Sequence, residues 1–292
     1  MIPAAFDYQR AHSVDEALAL LQEHGSDARI LAGGQSLIPA MRFRLARPSV
    51  LVDIGPIGDL RYLRLDDGIL ALGAMARDSD VERASWIGER GWGLIADMSR
   101  VVADPVVRQS GTIVGSLCHN DPAGDWTAVA LASRASMVVR GADGDRTVPI
   151  DEFLVDSFTT DVGDGEIAVE ARFPVPGDRT SGAYLKVERK VGDYATAAAG
   201  VQLTLDEHGI IRQAGVALSA AGATAVRVTE VEHILVGQKP TAELFRAAGA
   251  AALESSQPQA DLRGSVEYKK HLAGVLVERG LGKTLQRLGV EL

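Results

Sequence analysis

Few residues in this chain are spaced for acid–base or nucleophilic chemistry. The six histidines, His12, His24, His119, His208, His233 and His271, do not cluster, and no Ser-His-Asp or HExxH arrangement is legible. Carboxylate pairs such as Asp15-Glu16 and Asp66-Asp67 fall where solvated helix and turn positions are expected. The single cysteine, Cys118, cannot build an iron–sulfur cluster, a thiolate zinc site or an internal disulfide, and it reads as a small buried residue. Metal chemistry connected with this chain must then sit on another polypeptide. Gly282-Lys283-Thr284 has the ending of a P-loop, but Val277 stands where the first glycine is needed, and the segment lies in a helical pattern. No GxGxxG follows a strand, so a Rossmann site is unsupported.

What remains is a pair of glycine-bearing stretches. Ala32-Gly33-Gly34-Gln35-Ser36-Leu37 follows an apolar run, and Gly111-Thr112-Ile113-Val114-Gly115-Ser116 lies about 80 residues further on. Each alone suits an ordinary tight turn. Together they suit an anion: successive backbone N–H groups form a concave nest, a helix starting near Ser36 adds its positive end, and glycine lets backbone approach closely. The hydroxyls of Ser36, Thr112 and Ser116 can donate to phosphate oxygens. Two such loops can hold the two phosphates of one dinucleotide without a lysine.

The elements that must position these loops follow from periodicity. Ser13-Val14-Asp15-Glu16 is a capping box before the helically spaced Ala17, Leu18, Leu20 and Leu21, and Gly25 ends that helix. Strands are expected over 28–32, 49–54 and 68–75, with helices from Ser36, over 78–86 and over 91–102. Asp143-Gly144 marks a hairpin turn. Phe173-Pro174-Val175-Pro176-Gly177-Asp178 is the best candidate for a domain boundary, which divides the chain into 1–176 and 177–292. Beyond it, three strands (184–189, 197–205, 210–219) precede helices over 228–236, 242–254 and 266–288. The first half alternates strand and helix, the second runs strands then helices, and the class is α+β.

The totals constrain function. A chain of 292 residues with 46% hydrophobic and 24% charged residues is globular and long enough for two cores. The net charge of −9 argues against a nucleic-acid-binding surface but allows a local pocket for an anionic ligand. The N-terminus has no signal-peptide pattern and no run is apolar enough to span a membrane, so a cytoplasmic location is expected.

In combination, FDYQRAHSVDEALALL, AGGQSL, DPVVRQSGTIVGSLCHNDPAGDW and LKVERKVGDYATAAAGV resemble the FAD-binding medium subunit of the molybdenum hydroxylases, the xanthine dehydrogenase and aerobic carbon monoxide dehydrogenase group. The resemblance covers nearly the whole chain. It implies a two-subdomain α/β FAD-binding unit (PCMH-type), followed by a smaller domain with a three-stranded antiparallel sheet and a helical bundle. It further implies that Ala32, Gly33, Gly34, Gln35, Ser36 and Leu37, with Gly111, Thr112, Gly115 and Ser116, hold the pyrophosphate and adjoining groups. Asp125 would accept from a ribose hydroxyl, and backbone around Val102, Ala103 and Val107 would line the flavin. Ile167 would pack near the adenine or isoalloxazine. Lys186 would approach the ring as a counter-charge, and Tyr194 would stack on it or shield one face. His119 and Asp121 match motif positions and would serve the flavin or close the loop. One departure is Val114, where the family has a second glycine: it either points away from the phosphate or crowds the flavin.

The resemblance also implies partners: a large molybdopterin subunit and a small subunit with two [2Fe-2S] clusters, in a heterotrimer that dimerises. Electrons would pass from the clusters to FAD and on to NAD, a quinone or oxygen. Two other readings compete, a self-contained FAD-dependent oxidoreductase with Tyr194 or Lys186 as base, and a non-enzymatic assembly subunit whose glycine loops are plain turns.

Overall fold

The computed structural model describes residues 2–89 and 91–291. A small parallel sheet comes first, in the order Asp7–Arg10, Val50–Asp53, Ala28–Leu31. Parallel neighbours need a crossover, and helix Val14–His24 follows the first of these strands and leads to Ala28–Leu31. Ser13 Oγ accepts from Glu16 N–H at 3.1 Å, while the Glu16 carboxylate accepts from His12 N–H at 2.7 Å. The capping box therefore closes one residue earlier than its usual form. Gly25, at φ 54°, ends the helix. All three strands run the same way, so their carboxyl ends share one edge, and the Ala32–Leu37 loop leaves from it.

The second sheet has five strands in the order Leu63–Asp66, Ile69–Gly73, Ile167–Pro174, Ser136–Gly141, Gly144–Pro149, all antiparallel. Strand–helix alternation thus produces parallel pairing only in the small sheet. Gly141 pairs with Gly144, so Ala142 and Asp143 form the hairpin turn and Gly144, at φ 110°, opens the return strand. The expected turn lies one residue later.

The third sheet holds Thr180–Val187, Ala197–Leu205 and Ile211–Ser219, as expected from the pattern, with a two-residue edge strand, Val226–Arg227, added as a fourth. One face packs on helices Gly93–Val101 and Asp125–Ala132, the other on Thr229–Leu235 and Val266–Arg287, and helix Ala242–Ser255 packs on those last two. Small residues permit this close approach: a Cβ on Gly215 would fall 1.9 Å from the Ala132 carbonyl oxygen. Helix Asp125–Ala132 is buried on every side, as its all-round apolar sequence requires. It holds Asp125 rigidly between the first half and the third sheet.

Candidate functional site

The two glycine loops meet. A Cβ on Gly33 would lie 2.1 Å from the Ser110 carbonyl oxygen and 3.0 Å from Gly111 Cα. Gly33 is therefore required first by the other loop, and Gly34 by its left-handed backbone, φ 73°. Among the described residues, the backbone N–H groups of Gly33, Gly34, Gln35 and Ser36 donate to no protein acceptor. Ser36 precedes helix Leu37–Arg42 but makes no side-chain cap, contrary to expectation, because its backbone is already helical at φ −107°, ψ −48°. Its hydroxyl is left for other partners.

The second stretch is not a loop throughout. Helix Ile113–His119 begins inside it, with Thr112 as N-cap accepting from Gly115 N–H at 3.2 Å. Thr112 Oγ1 thus spends an acceptor position on the helix and keeps its proton to donate. Gly115 is required by that cap, since a Cβ there would sit 2.5 Å from Thr112 Oγ1. Val114 is 3% exposed and packs in the main core. It points into the protein rather than crowding the loops.

Asp125, expected to accept from a ribose hydroxyl, is held by two donors of the third sheet. Its Oδ1 accepts from the Tyr184 hydroxyl at 2.6 Å and its Oδ2 from Lys186 Nζ at 2.9 Å. Lys186 also donates to the Val101 carbonyl at 3.1 Å and lies 3.3 Å from Glu188, with its side chain 2% exposed. The lysine expected at the ring ties together the third sheet, helix Asp125–Ala132 and the segment entering Val102-Ala103. Burial pushes the Asp125 carboxyl up and Lys186 opposes the shift.

Val102 and Ala103 form a turn with Ala103 at φ 48°. Their carbonyls accept from Arg108 Nη1 at 3.0 and 3.1 Å, and Arg108 holds Glu82 through Nε and Nη2. The Val107 carbonyl accepts from Gly111 N–H at 2.7 Å, which joins this turn to the second glycine stretch. Gly192, from the segment after the Lys186 strand, packs on the same turn, so a Cβ there would lie 3.0 Å from Asp104 N. Tyr194 follows in that segment and is 43% exposed; burial and the Asp121 and Asp125 carboxylates push its phenol up to about 12. His119 Nε2 is 3.8 Å from Asp121 Oδ2, and its ring lies 5.2 Å from that of Phe158. Asp121 Oδ1 accepts from Ala123 N–H at 2.9 Å, a loop-closing bond. Ile167 is buried in the main core, opposite Arg140 on the neighbouring strand. Cys118 packs against the same core, and burial pushes its thiol up to about 12.

Several organising residues had no sequence signal. Asp78 donates its N–H to Gly111 O at 3.1 Å, and its carboxylate accepts from Trp126 Nε1 at 2.7 Å. Tyr184 anchors Asp125. Fully buried Asn120, left-handed at φ 44°, donates to the Asp156 and Thr159 carbonyls at 2.8 and 2.9 Å. Only the tertiary fold brings these partners together.

A nest of unpaired amides, a free serine hydroxyl and an adjoining helix start fit a diphosphate. The comparisons agree. The family "FAD binding domain in molybdopterin dehydrogenase" matches residues 4–176, and "CO dehydrogenase flavoprotein C-terminal domain" matches 182–284. The carbon monoxide dehydrogenase medium chain of Hydrogenophaga pseudoflava is 38% identical, over 98% of this chain and 99% of its own. A subunit of the 6-hydroxypseudooxynicotine dehydrogenase complex of Paenarthrobacter nicotinovorans, subunit alpha, is 36% identical over 98% and 97%. The solved Hydrogenophaga pseudoflava carbon monoxide dehydrogenase lacking the Mo-pyranopterin moiety contains a chain that superposes with a TM-score of 0.95, at 39% identity, covering 98% of this chain and 99% of that one. The chain thus belongs to the family of FAD-binding medium subunits of molybdenum hydroxylases, to which the carbon monoxide and xanthine dehydrogenase flavoproteins also belong.

Proposed function

We propose that this chain is the FAD-carrying electron-transfer subunit of a molybdenum-dependent dehydrogenase. The observation that carries this is the contact between the Gly33 and Gly111 loops, which presents unpaired amides in a chain that matches the family along nearly its whole length. The amides of Gly33 to Ser36, the Ser36 hydroxyl and the Thr112 proton would hold the pyrophosphate. The Val102-Ala103 turn and Tyr194 would bound the ring. Bound FAD would supply two-electron storage with one-electron exchange. The chain's own task is to position it, exclude water and set its electrostatics. Lys186, Asp125 and Tyr184 do so indirectly, by fixing the third sheet against the first half. The FAD-binding part is taken as residues 1–176 and the C-terminal part as 177–292.

The partners are a large molybdopterin subunit and a small iron–sulfur subunit, and the acceptor is NAD, a quinone or oxygen. Among the described residues no helix is long and apolar enough to cross a membrane, and we place the complex in the cytoplasm. Neither the self-contained oxidoreductase nor the assembly subunit gains a supporting observation. Lys186 and Asp125 are buried and paired, which removes the nearest base for substrate chemistry. The test is co-expression with the two partner subunits, followed by reduction of the iron–sulfur protein. Flavin bleaching on reduction supports the assignment, whereas a flavin that stays oxidised beside reduced clusters overturns it.

A further inference from the structure

We propose that Asp78 couples FAD binding to proton uptake: its buried carboxyl group abuts the backbone of the second glycine stretch, where a bound pyrophosphate favours the neutral acid over the carboxylate. This deepens the FAD assignment above and rests on it.

Asp78 begins helix Asp78–Glu82 and is 5% exposed. Its N–H donates to Gly111 O, and Ile113 N–H donates to Ala76 O, so residues 76–78 are clipped to the start of the phosphate stretch by two backbone bonds. One carboxylate oxygen, Oδ1, accepts from Trp126 Nε1 at 2.7 Å. The other, Oδ2, lies 2.7 Å from the place a Cβ on Gly111 would take. Only glycine leaves room for it. A carboxyl group this close to Gly111 lies beside the pair of loops proposed to hold the pyrophosphate. As an anion it repels the pyrophosphate; as an acid it does not, and its O–H can donate.

The surrounding charges do not neutralise it. Arg108, from helix Pro105–Arg108, lowers its pKa but is spent on Glu82 and on the Val102 and Ala103 carbonyls. Asp125, on the helix that carries Trp126, and Glu82, on its own helix, both add negative charge. Burial is the largest influence, and it pushes the group up to about 7. Adding two phosphate charges pushes it further in the same direction. The pyrophosphate itself does not titrate in this range. His119 titrates below its ordinary value, because burial lowers it.

The test uses the flavin-stripped full chain and FAD itself. Affinity is measured by flavin fluorescence from pH 6 to 8.5 for wild type and for Asp78→Asn, which keeps an acceptor for Trp126. Calorimetry in two buffers of different ionisation enthalpy counts the protons. With a free-state pKa of about 7, wild-type affinity falls about thirtyfold across that range, and uptake approaches one proton per FAD at about pH 8. Asp78→Asn binds FAD with little pH dependence, and the infrared band of a carboxylic acid that appears on binding to wild type is missing. Wild-type binding that is flat with pH and takes up no proton overturns the proposal, as does a wild-type slope retained in Asp78→Asn. If that variant does not fold, the wild-type proton count decides alone. Failure to bind FAD at every pH, in the chain and in the complex co-expressed with its partner subunits, overturns the functional assignment and this proposal with it.

Discussion

Gly33→Ala isolates the loop contact from the fold. The new Cβ would start 2.1 Å from the Ser110 carbonyl oxygen, and Ser110 is backbone, so no side-chain rotation relieves the clash. The loops must part by about 1 Å to restore ordinary contact, which stretches hydrogen bonds of about 2.9 Å beyond useful range. Hydrogen bonds to a charged phosphate are worth about 1.5–3 kcal/mol each, so losing two costs about 3–6 kcal/mol. FAD affinity should fall between about a hundredfold and about ten-thousandfold. The assay is fluorescence titration of FAD into the stripped chain, with circular dichroism and thermal melting of the same samples. Gly282→Ala, where an added Cβ meets nothing within 4 Å, is the control and should bind normally. A folded Gly33→Ala protein with wild-type affinity would refute the reasoning.

Further outcomes follow from the buried groups. Asp78 has its folded pKa raised from 3.8 to about 7, so the folded state holds a proton that the unfolded state releases, and stability is lost as pH rises from about 4 to 7. That loss amounts to about 4 kcal/mol; Asp78→Asn should remove the slope in urea melts across this window, and an unchanged slope would assign it elsewhere. Lys186→Met strands the Asp125 carboxylate, 2% and 7% being the side-chain exposures of the pair, and should destabilise by about 3–5 kcal/mol, with Asp125→Asn/Lys186→Met recovering much of it. An unaltered urea midpoint for the single variant would count against this tie. Cys118, with its thiol pushed up to about 12, should alkylate with iodoacetamide at pH 8 about a thousandfold slower than a free thiol, and normally once denatured. Rapid native labelling would contradict its packing against the core.

The parts of the site legible in the sequence were those with local rules. Glycines after an apolar run, a serine–glutamate cap and strands followed by helices are all short-range patterns, and they located both loops and the third sheet. Two residues have partners that are distant in the chain. Asp125, expected to accept from a ribose, accepts from Tyr184 and Lys186, about 60 residues on. Lys186, expected at the ring, is held by the same contact. The strand pairing of the first half was also not local: the strands Ile69–Gly73, Ile167–Pro174 and Ser136–Gly141, distant in the chain, assemble antiparallel. Asp78 gave no signal, because an Arg-Asp-Ser-Asp helix start reads as solvated until Gly111 and Trp126 close over it.

The central claim is that this chain holds FAD between its two glycine loops. The most direct test is the absorbance of the purified chain after adding FAD and passing it through gel filtration, repeated on the complex co-expressed with its partner subunits. Flavin bands near ~370 and ~450 nm should travel with the protein. Flavin that elutes entirely as free FAD, from both the chain and the assembled complex, would contradict it.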